Sequence, residues 1–416
     1  MIAQIRSIMA RSDDLRRANT LRILQSVRAK SSISRTELAS TTGLSPATVS
    51  TITAGLIQDQ ILRETDAPSS LIRRGRPQVA LCVDQNAGLV ATVALSLNKA
   101  RFTFFDFTGA EVASRDSRIE TRNANSEAIN AAIANTIKCI MQELPKHLPL
   151  VRQISLGVQG VVDTAGRVML WSPITHGSVD FADGLEALLS IPVTVANDSD
   201  VTALALKKRE PALYGGDFIS ITMTAGIGMS IVIGGHVFSG VRSSAAEFGH
   251  MVHEYEGAKC RCGRNGCIEA YSGDYAIWRN AKRKDPHGQP KGEIDAAEFA
   301  VIAQTALEHA GPEREAFKTA ARALGVGVRN VFALIDPAPV ALVGFGGAGE
   351  KLLEPELRVI LKDAFQDDIG ATLRIGWYPD AAPLISQGAA ERGLDLMATR
   401  FAASSENMLA AGIAAE

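Results

Sequence analysis

Glu247-Phe248-Gly249-His250, then nine residues, then Cys260-Arg261-Cys262-Gly263-Arg264-Asn265-Gly266-Cys267-Ile268-Glu269 is the most specific run in this 416-residue chain. Three of the chain's five cysteines fall inside it. Three thiolates and one imidazole complete a tetrahedral zinc shell, and Gly263 and Gly266 let the backbone fold around the ion. The expected ligands are His250, Cys260, Cys262 and Cys267, with His253 an alternative to His250. Four protein ligands leave no position for a metal-bound water, so the expected zinc is structural rather than hydrolytic. Cys82 and Cys139 have no such neighbours and read as core thiols. An odd cysteine count without an export signal favours metal over disulfides.

Working outward, the composition is that of an ordinary globular protein, with 46% hydrophobic and 21% charged residues. It excludes collagen-like, coiled-coil and fully disordered classes, and the length suits two or three domains. The net charge of −2 hides an asymmetry. Residues 1–80 hold 12 Lys+Arg against 6 Asp+Glu, while residues 81–416 hold 31 against 39. A basic module on an acidic body points to an anionic partner for the first part alone, with nucleic acid the leading candidate. Met1–Asp14 lacks the apolar core of a signal peptide. Phe218–Val241 is uncharged and long enough to span a membrane, but its five glycines suit a strand, a turn and a strand. A cytoplasmic protein with no membrane segment is expected.

The basic end, residues 1–82, reads as a winged helix-turn-helix. Leu21, Leu24 and Val27 recur at helical intervals within Leu15–Val27, with arginines between them. Ser34-Arg35-Thr36-Glu37 is a capping box, and Gly43 suits the left-handed position that ends the helix. Ser45 caps the next helix and Pro46 opens it. Val49, Ile52 and Leu56 share one face. Ala47, Thr48, Ser50 and Thr51 are left outward, small enough for the helix to lie in a major groove. Ser45 and these four are the expected DNA contacts, joined by Arg73, Arg74 and Arg76 of a wing between strands Ile61-Leu62-Arg63 and Val79-Ala80-Leu81. Such arginines suit a narrow minor groove.

Further motifs extend the pattern. Gly157-Val158-Gln159-Gly160-Val161-Val162-Asp163 resembles a Gly-x-Pro-Gly-x-x-Asp turn with Gln159 in place of proline. Ala196-Asn197-Asp198 resembles a Glu-Asn-Asp element, and Thr224-Ala225-Gly226-Ile227-Gly228 a second phosphate loop. Together with the cysteine run these resemble the ROK family (repressors, open reading frames and kinases), from about Ala87 to about Ala398. The winged helix ahead of them is typical of that family's regulators. The resemblance implies an α/β fold: a two-lobed, actin-like (RNase H-like) domain over residues 87–400 with a zinc-binding loop. Lobe 1 would span about 87–200 plus a terminal helix at about 386–400, and lobe 2 about 201–385. An Ala/Ser-rich tail, 402–416, reads as loosely held.

In the family's kinases the matching positions hold sugar hydroxyls. By resemblance, Asn197, Asp198, Glu247, His250 and Glu269 would do so here, and carboxylates, an amide and an imidazole suit that task. His250 would serve twice, with one nitrogen on zinc and the other toward a hydroxyl. The first phosphate loop of the family, Asp-x-Gly-Gly-Thr, has no counterpart here. Ala94 stands for its Asp, Ser96-Leu97 for its glycines and Asn98 for its Thr. Met229 and Ser230 replace glycines after the second loop, while Leu342-Val343-Gly344-Phe345-Gly346-Gly347 still resembles an adenosine-side loop. Asp198 is then a vestigial base, and no enzyme activity is expected.

The expected function is a transcription regulator, by default a repressor, whose hold on a palindromic DNA operator is set by a sugar. A homodimer or homotetramer would present paired recognition helices. An ATP-dependent sugar kinase that also binds DNA is the alternative. The family's sugar loop is replaced by Ser172–Val179, where His176 or Ser178 could contact a ligand unlike glucose.

Overall fold

The computed structural model describes the backbone of residues 2–66, 79–241, 246–362 and 373–413, and side chains from 13 to 404 within these. At the amino terminus a helix runs Ile2–Lys30, well beyond the expected Leu15–Val27. Ile23, Leu24 and Val27 are fully buried, while Leu21 is only partly so. Helices Arg35–Thr42 and Pro46–Gln58 follow. Ser34 and Glu37 form the reciprocal capping box, and Gly43 closes the first of these helices at φ 69°. The Ser45 hydroxyl accepts from the Thr48 N–H at 3.1 Å, and Val49, Ile52, Thr53 and Leu56 face inward. Strands Ile33–Ser34, Val79–Val83 and Leu62–Asp66 form one antiparallel sheet in that order, completing a winged helix. The expected wing residues Arg73, Arg74 and Arg76 lie outside the described residues.

The body repeats one strand plan twice. Its first sheet runs Val193–Asn197, Val151–Val158, Leu89–Ser96, Lys99–Phe105, Glu111–Arg118. The first three strands are parallel and the last two add antiparallel. Its second runs Ile375–Tyr378, Val340–Gly344, Phe218–Met223, Ile227–Ile233, His236–Val237, again three parallel strands followed by two antiparallel ones. Strands covered by helices on both faces need unbroken apolar runs, and every residue of Phe218–Met223 is buried. That burial explains the start of the uncharged stretch, though Ile233, Phe238 and Val241 further on are exposed; no described helix is long and apolar enough to cross a membrane.

One helix, Ala381–Ile413, ties these parts together. It extends into residues expected as a loose tail. It packs on helix Asp198–Arg209 so closely that a Cβ on Gly388 would lie 1.7 Å from the Val201 carbonyl oxygen. Further along, Leu394, Met397 and Ala398 share one apolar cluster with Leu24, Val27, Leu38 and Leu56 of the winged helix. Arg28, its side chain only 8% exposed, pairs with Glu391 at 3.0 Å and also with Asp395. The winged helix is therefore packed onto the first lobe rather than hung from it. Cys82 is buried as expected, but Cys139 is exposed on helix Ser126–Glu143 and is not a core thiol.

Candidate ligand cleft and metal centre

The cysteine run folds into a compact cluster. One ligand atom each from His250, Cys260, Cys262 and Cys267 lies within 4.8 Å of the others. Cys262 and Cys267 sulfurs are 3.7 Å apart, and His250 Nδ1 is 3.9 Å from Cys260 Sγ. Sulfurs bound at about 2.3 Å to one tetrahedral ion are separated by nearly this much. Gly266, at φ 78°, is required because a Cβ there would meet the Glu254 carbonyl oxygen at 1.7 Å. Hydrogen bonds among the thiols pull Cys262 far below the ordinary thiol range and drive Cys260 far above it. Such a set suits a soft divalent cation, which would take the place of the shared protons. His253 is outside the cluster, edge-on to Tyr271 at 4.9 Å, so the alternative ligand is not the one the fold brings in.

The metal group adjoins the junction of the lobes. His250 Nε2 faces Glu247 Oε2 at 3.9 Å while Nδ1 faces the sulfurs. Glu269, 2% exposed, accepts from the Ile227 N–H at 3.2 Å and lies 3.6 Å from Cys260 Sγ. Burial raises both carboxyls above the usual carboxylate range. Across the junction, Asn197 ends a strand and caps helix Asp198–Arg209, its oxygen accepting from the N–H groups of Ser199 and Asp200. Its amide donates to the Gly160 carbonyl at 2.8 Å. Both its acceptor sites are thus used in holding the turn, and one N–H is left to offer a ligand. Burial pushes Asp198 up to about 7, against the pull of the Ser199 N–H.

Two cavities lie on either side of the Asn197-Asp198 turn. A small one of about 40 Å³ is lined by Gly160, Val161, Asn197, Met229 and Glu247 together with Asp200. Burial raises Asp200 to about 6, and Arg392 on the terminal helix partly offsets this. Asp200 was not singled out from sequence, though its place two residues after Asp198 on a capped helix put it within reach. A larger cavity, about 600 Å³, takes in Asp198, Phe299, the glycines from Gly344 and the residues standing for the first phosphate loop. Ala94, Ser96 and Leu97 line it with side chains, and Asn98 (φ 55°) donates to Glu293 of the second lobe at 3.0 Å. His176 and Ser178 are exposed. Trp171, also passed over in the sequence, stands edge-on to the His250 ring at 5.8 Å.

On the winged helix, Ser45, Ala47, Ser50 and Thr51 are exposed and Thr48 is half-exposed at the front of Pro46–Gln58. A winged helix built onto a two-lobed body with repeated mixed sheets joins a DNA-binding module to a cleft-bearing α/β domain. The chain belongs to the ROK family: the ROK family model matches residues 94–375, and a winged helix-turn-helix DNA-binding model matches residues 16–63. The chain is similar to the xylose repressor of Bacillus subtilis, 23% identical over 329 residues, covering 79% of this chain and 82% of that protein. It is likewise 23% identical over 347 residues to the DNA-binding transcriptional dual regulator NagC of Escherichia coli, covering 83% and 84%. A solved ROK family transcriptional regulator, a homologue of the E. coli MLC protein, superposes with TM-score 0.76 at 23% identity over 92% of this chain and 99% of that one. A ROK glucokinase from Streptomyces griseus superposes with TM-score 0.61 at 23% identity over 74% and 99%, which shows the shared two-lobed fold.

Proposed function

We propose that this chain is a transcription regulator, a repressor by default, whose affinity for a palindromic operator is set by a sugar bound between the lobes. The observation that carries this reading is the terminal helix Ala381–Ile413. It braces the cleft helix Asp198–Arg209 at Gly388 and shares its apolar face with the winged helix. Any ligand that binds open and closed lobes unequally would therefore shift the winged helix as a body. In this reading Asn197, Asp198, Glu247, His250 and Glu269 hold hydroxyls. Zinc on His250, Cys260, Cys262 and Cys267 fixes one wall, and Ser45, Ala47, Thr48, Ser50 and Thr51 meet DNA, with Arg73, Arg74 and Arg76 of the wing in the minor groove. A homodimer or homotetramer would set the half-site spacing. Relatives named as a xylose repressor and a DNA-binding transcriptional dual regulator, each matched over about four fifths of its length, support it.

Duplexes selected from a random pool by the native chain, retested by gel shift with and without sugars, provide the test. Thr48→Val and Arg74→Ala should each weaken binding; unchanged shifts in both would refute the docking. One observation favours a kinase instead, because Asp198 near pH 7 is poised as a general base. Against it stand the side chains of Ala94, Ser96 and Leu97 at the phosphate end and the Asn98–Glu293 bond there. ADP release on mixing with ATP, magnesium and simple sugars, abolished by Asp198→Asn, would overturn the regulator-only reading.

A further inference from the structure

The chain has three tryptophans, and two of them are tied into the fold. Trp278 Nε1 donates to Glu298 at 2.8 Å, and Trp377 Nε1 donates to Glu354 at 2.5 Å. Trp171 differs: among the described residues no hydrogen bond is recorded for its indole nitrogen, and 41% of the residue is exposed. Its ring stands beside the wall that carries His250 and Glu247, with its indole N–H free to meet a ligand.

Its position is held rather than adventitious. Trp171 ends strand Val168–Trp171 and pairs with Val161, which lines the small cavity beside Glu247. Its carbonyl oxygen lies so close to Gly160 that a Cβ there would sit 2.3 Å away, and the Gly160 carbonyl in turn holds the Asn197 amide. The ring stands at 76° to the His250 ring. Carboxylates at the junction answer the hydroxyl edge of a sugar, but a sugar ring also has C–H faces that need an apolar wall. A stiff aromatic supplies that wall at little cost in side-chain entropy.

We infer that Trp171 is a ligand-contacting residue of the cleft, its ring packing against the C–H face of the sugar and its Nε1–H donating to a ligand hydroxyl. This rests on the sugar reading above and narrows the ligand class to sugars that keep one C–H face unsubstituted. Calorimetry on the full chain tests it with D-xylose, D-glucose and N-acetyl-D-glucosamine as probes. Against the tightest-bound probe, Trp171→Ala should lose about fivefold to tenfold in affinity and Trp171→Phe less than about threefold. Metal content and melting temperature should stay unchanged, because the side chain is exposed. The same probe should shift the native chain's tryptophan emission, and the shift should vanish in Trp171→Phe. Equal affinity of Trp171→Ala and the native chain would overturn the inference while leaving the sugar reading standing, as would loss of metal in Trp171→Ala. A native chain that binds none of the probes while still binding DNA would count against the sugar reading and remove the basis of this one.

Discussion

The two lobes share one strand plan and use its central hairpin in opposite ways. In the first lobe the turn between Leu89–Ser96 and Lys99–Phe105 carries side chains, and Asn98 reaches across to Glu293. In the second, the turn between Phe218–Met223 and Ile227–Ile233 keeps Gly226, where a Cβ would lie 2.8 Å from both Gln159 and Glu269. The first turn is latched across the lobes by the Asn98 side chain, while the second is held within its own lobe by Arg261 on the Ala225 carbonyl and pressed against buried polar groups at Gly226. The loads on the lobes differ too. The first carries the winged helix through a common apolar cluster, and the second carries the cysteine cluster that abuts its own cleft wall. Identical strand order thus supports the DNA-binding module on one side and a His/Cys-bearing wall on the other.

Removing the His/Cys-bearing wall should have the largest effect. Cys267→Ser is expected to drop bound zinc, measured by elemental analysis, from about one per chain to a small fraction, since a tetrahedral site needs all its ligands. Ligand affinity should fall about tenfold or more with it, through the loosened His250. Next comes the attachment of the DNA-binding module. Leu24→Ala empties a fully buried position in the shared cluster and should cost about 2–5 kcal/mol in denaturant unfolding of the winged helix. Retained stability there would separate the winged helix from the first lobe.

Asp198 sharpens the comparison at the junction itself. Its carboxyl is raised from 3.8 to about 7 by burial, so between those values the native chain holds a proton that the unfolded chain has released. Stability on this account falls as pH rises from about 4 to about 7. Asp198→Asn should flatten that slope in melting temperature across the same window, and an unaltered slope would place the raised group elsewhere. The smallest expected effect is at Arg28→Met. With Asp395 left unpaired and Glu391 keeping only Lys208, DNA affinity should change by less than about tenfold, but its response to ligand should weaken, read by gel shift with and without sugar.

Much of this was legible before any coordinates because the signals are local. The capping box at Ser34 and Glu37, the Ser45 cap and the spacing of Cys260, Cys262 and Cys267 each depend on residues a few positions apart. Phe218–Met223 shows as an apolar run because a strand covered on both faces has no place for a charge. Trp171 gave no such signal, since nothing nearby in the chain says that it will stand against His250, about eighty positions on. Asn197 was read for its type, and its type is right for a ligand. Only its neighbours in space show the oxygen committed to Ser199 and Asp200 and one N–H to Gly160, which leaves a single N–H for a ligand. The residues after Ala402 looked like a tail because Ala and Ser runs lack a periodic apolar face, yet the helix continues to Ile413.

By itself, then, the sequence determined the capped helix pair and the four-residue His/Cys set, each from backbone hydrogen bonding or side-chain chemistry within one segment. The two lobes and the polar groups of the cleft were implied by the resemblance to the ROK family. Tertiary structure alone decided how the parts are joined. It chose His250 over His253 for the cluster, set Asn98 against Glu293, and laid the terminal helix over both the cleft helix and the winged helix. The first is settled within one loop, but the others depend on packing between segments about two hundred or more residues apart, where close contact at Gly388 and a shared apolar cluster leave little room for another arrangement.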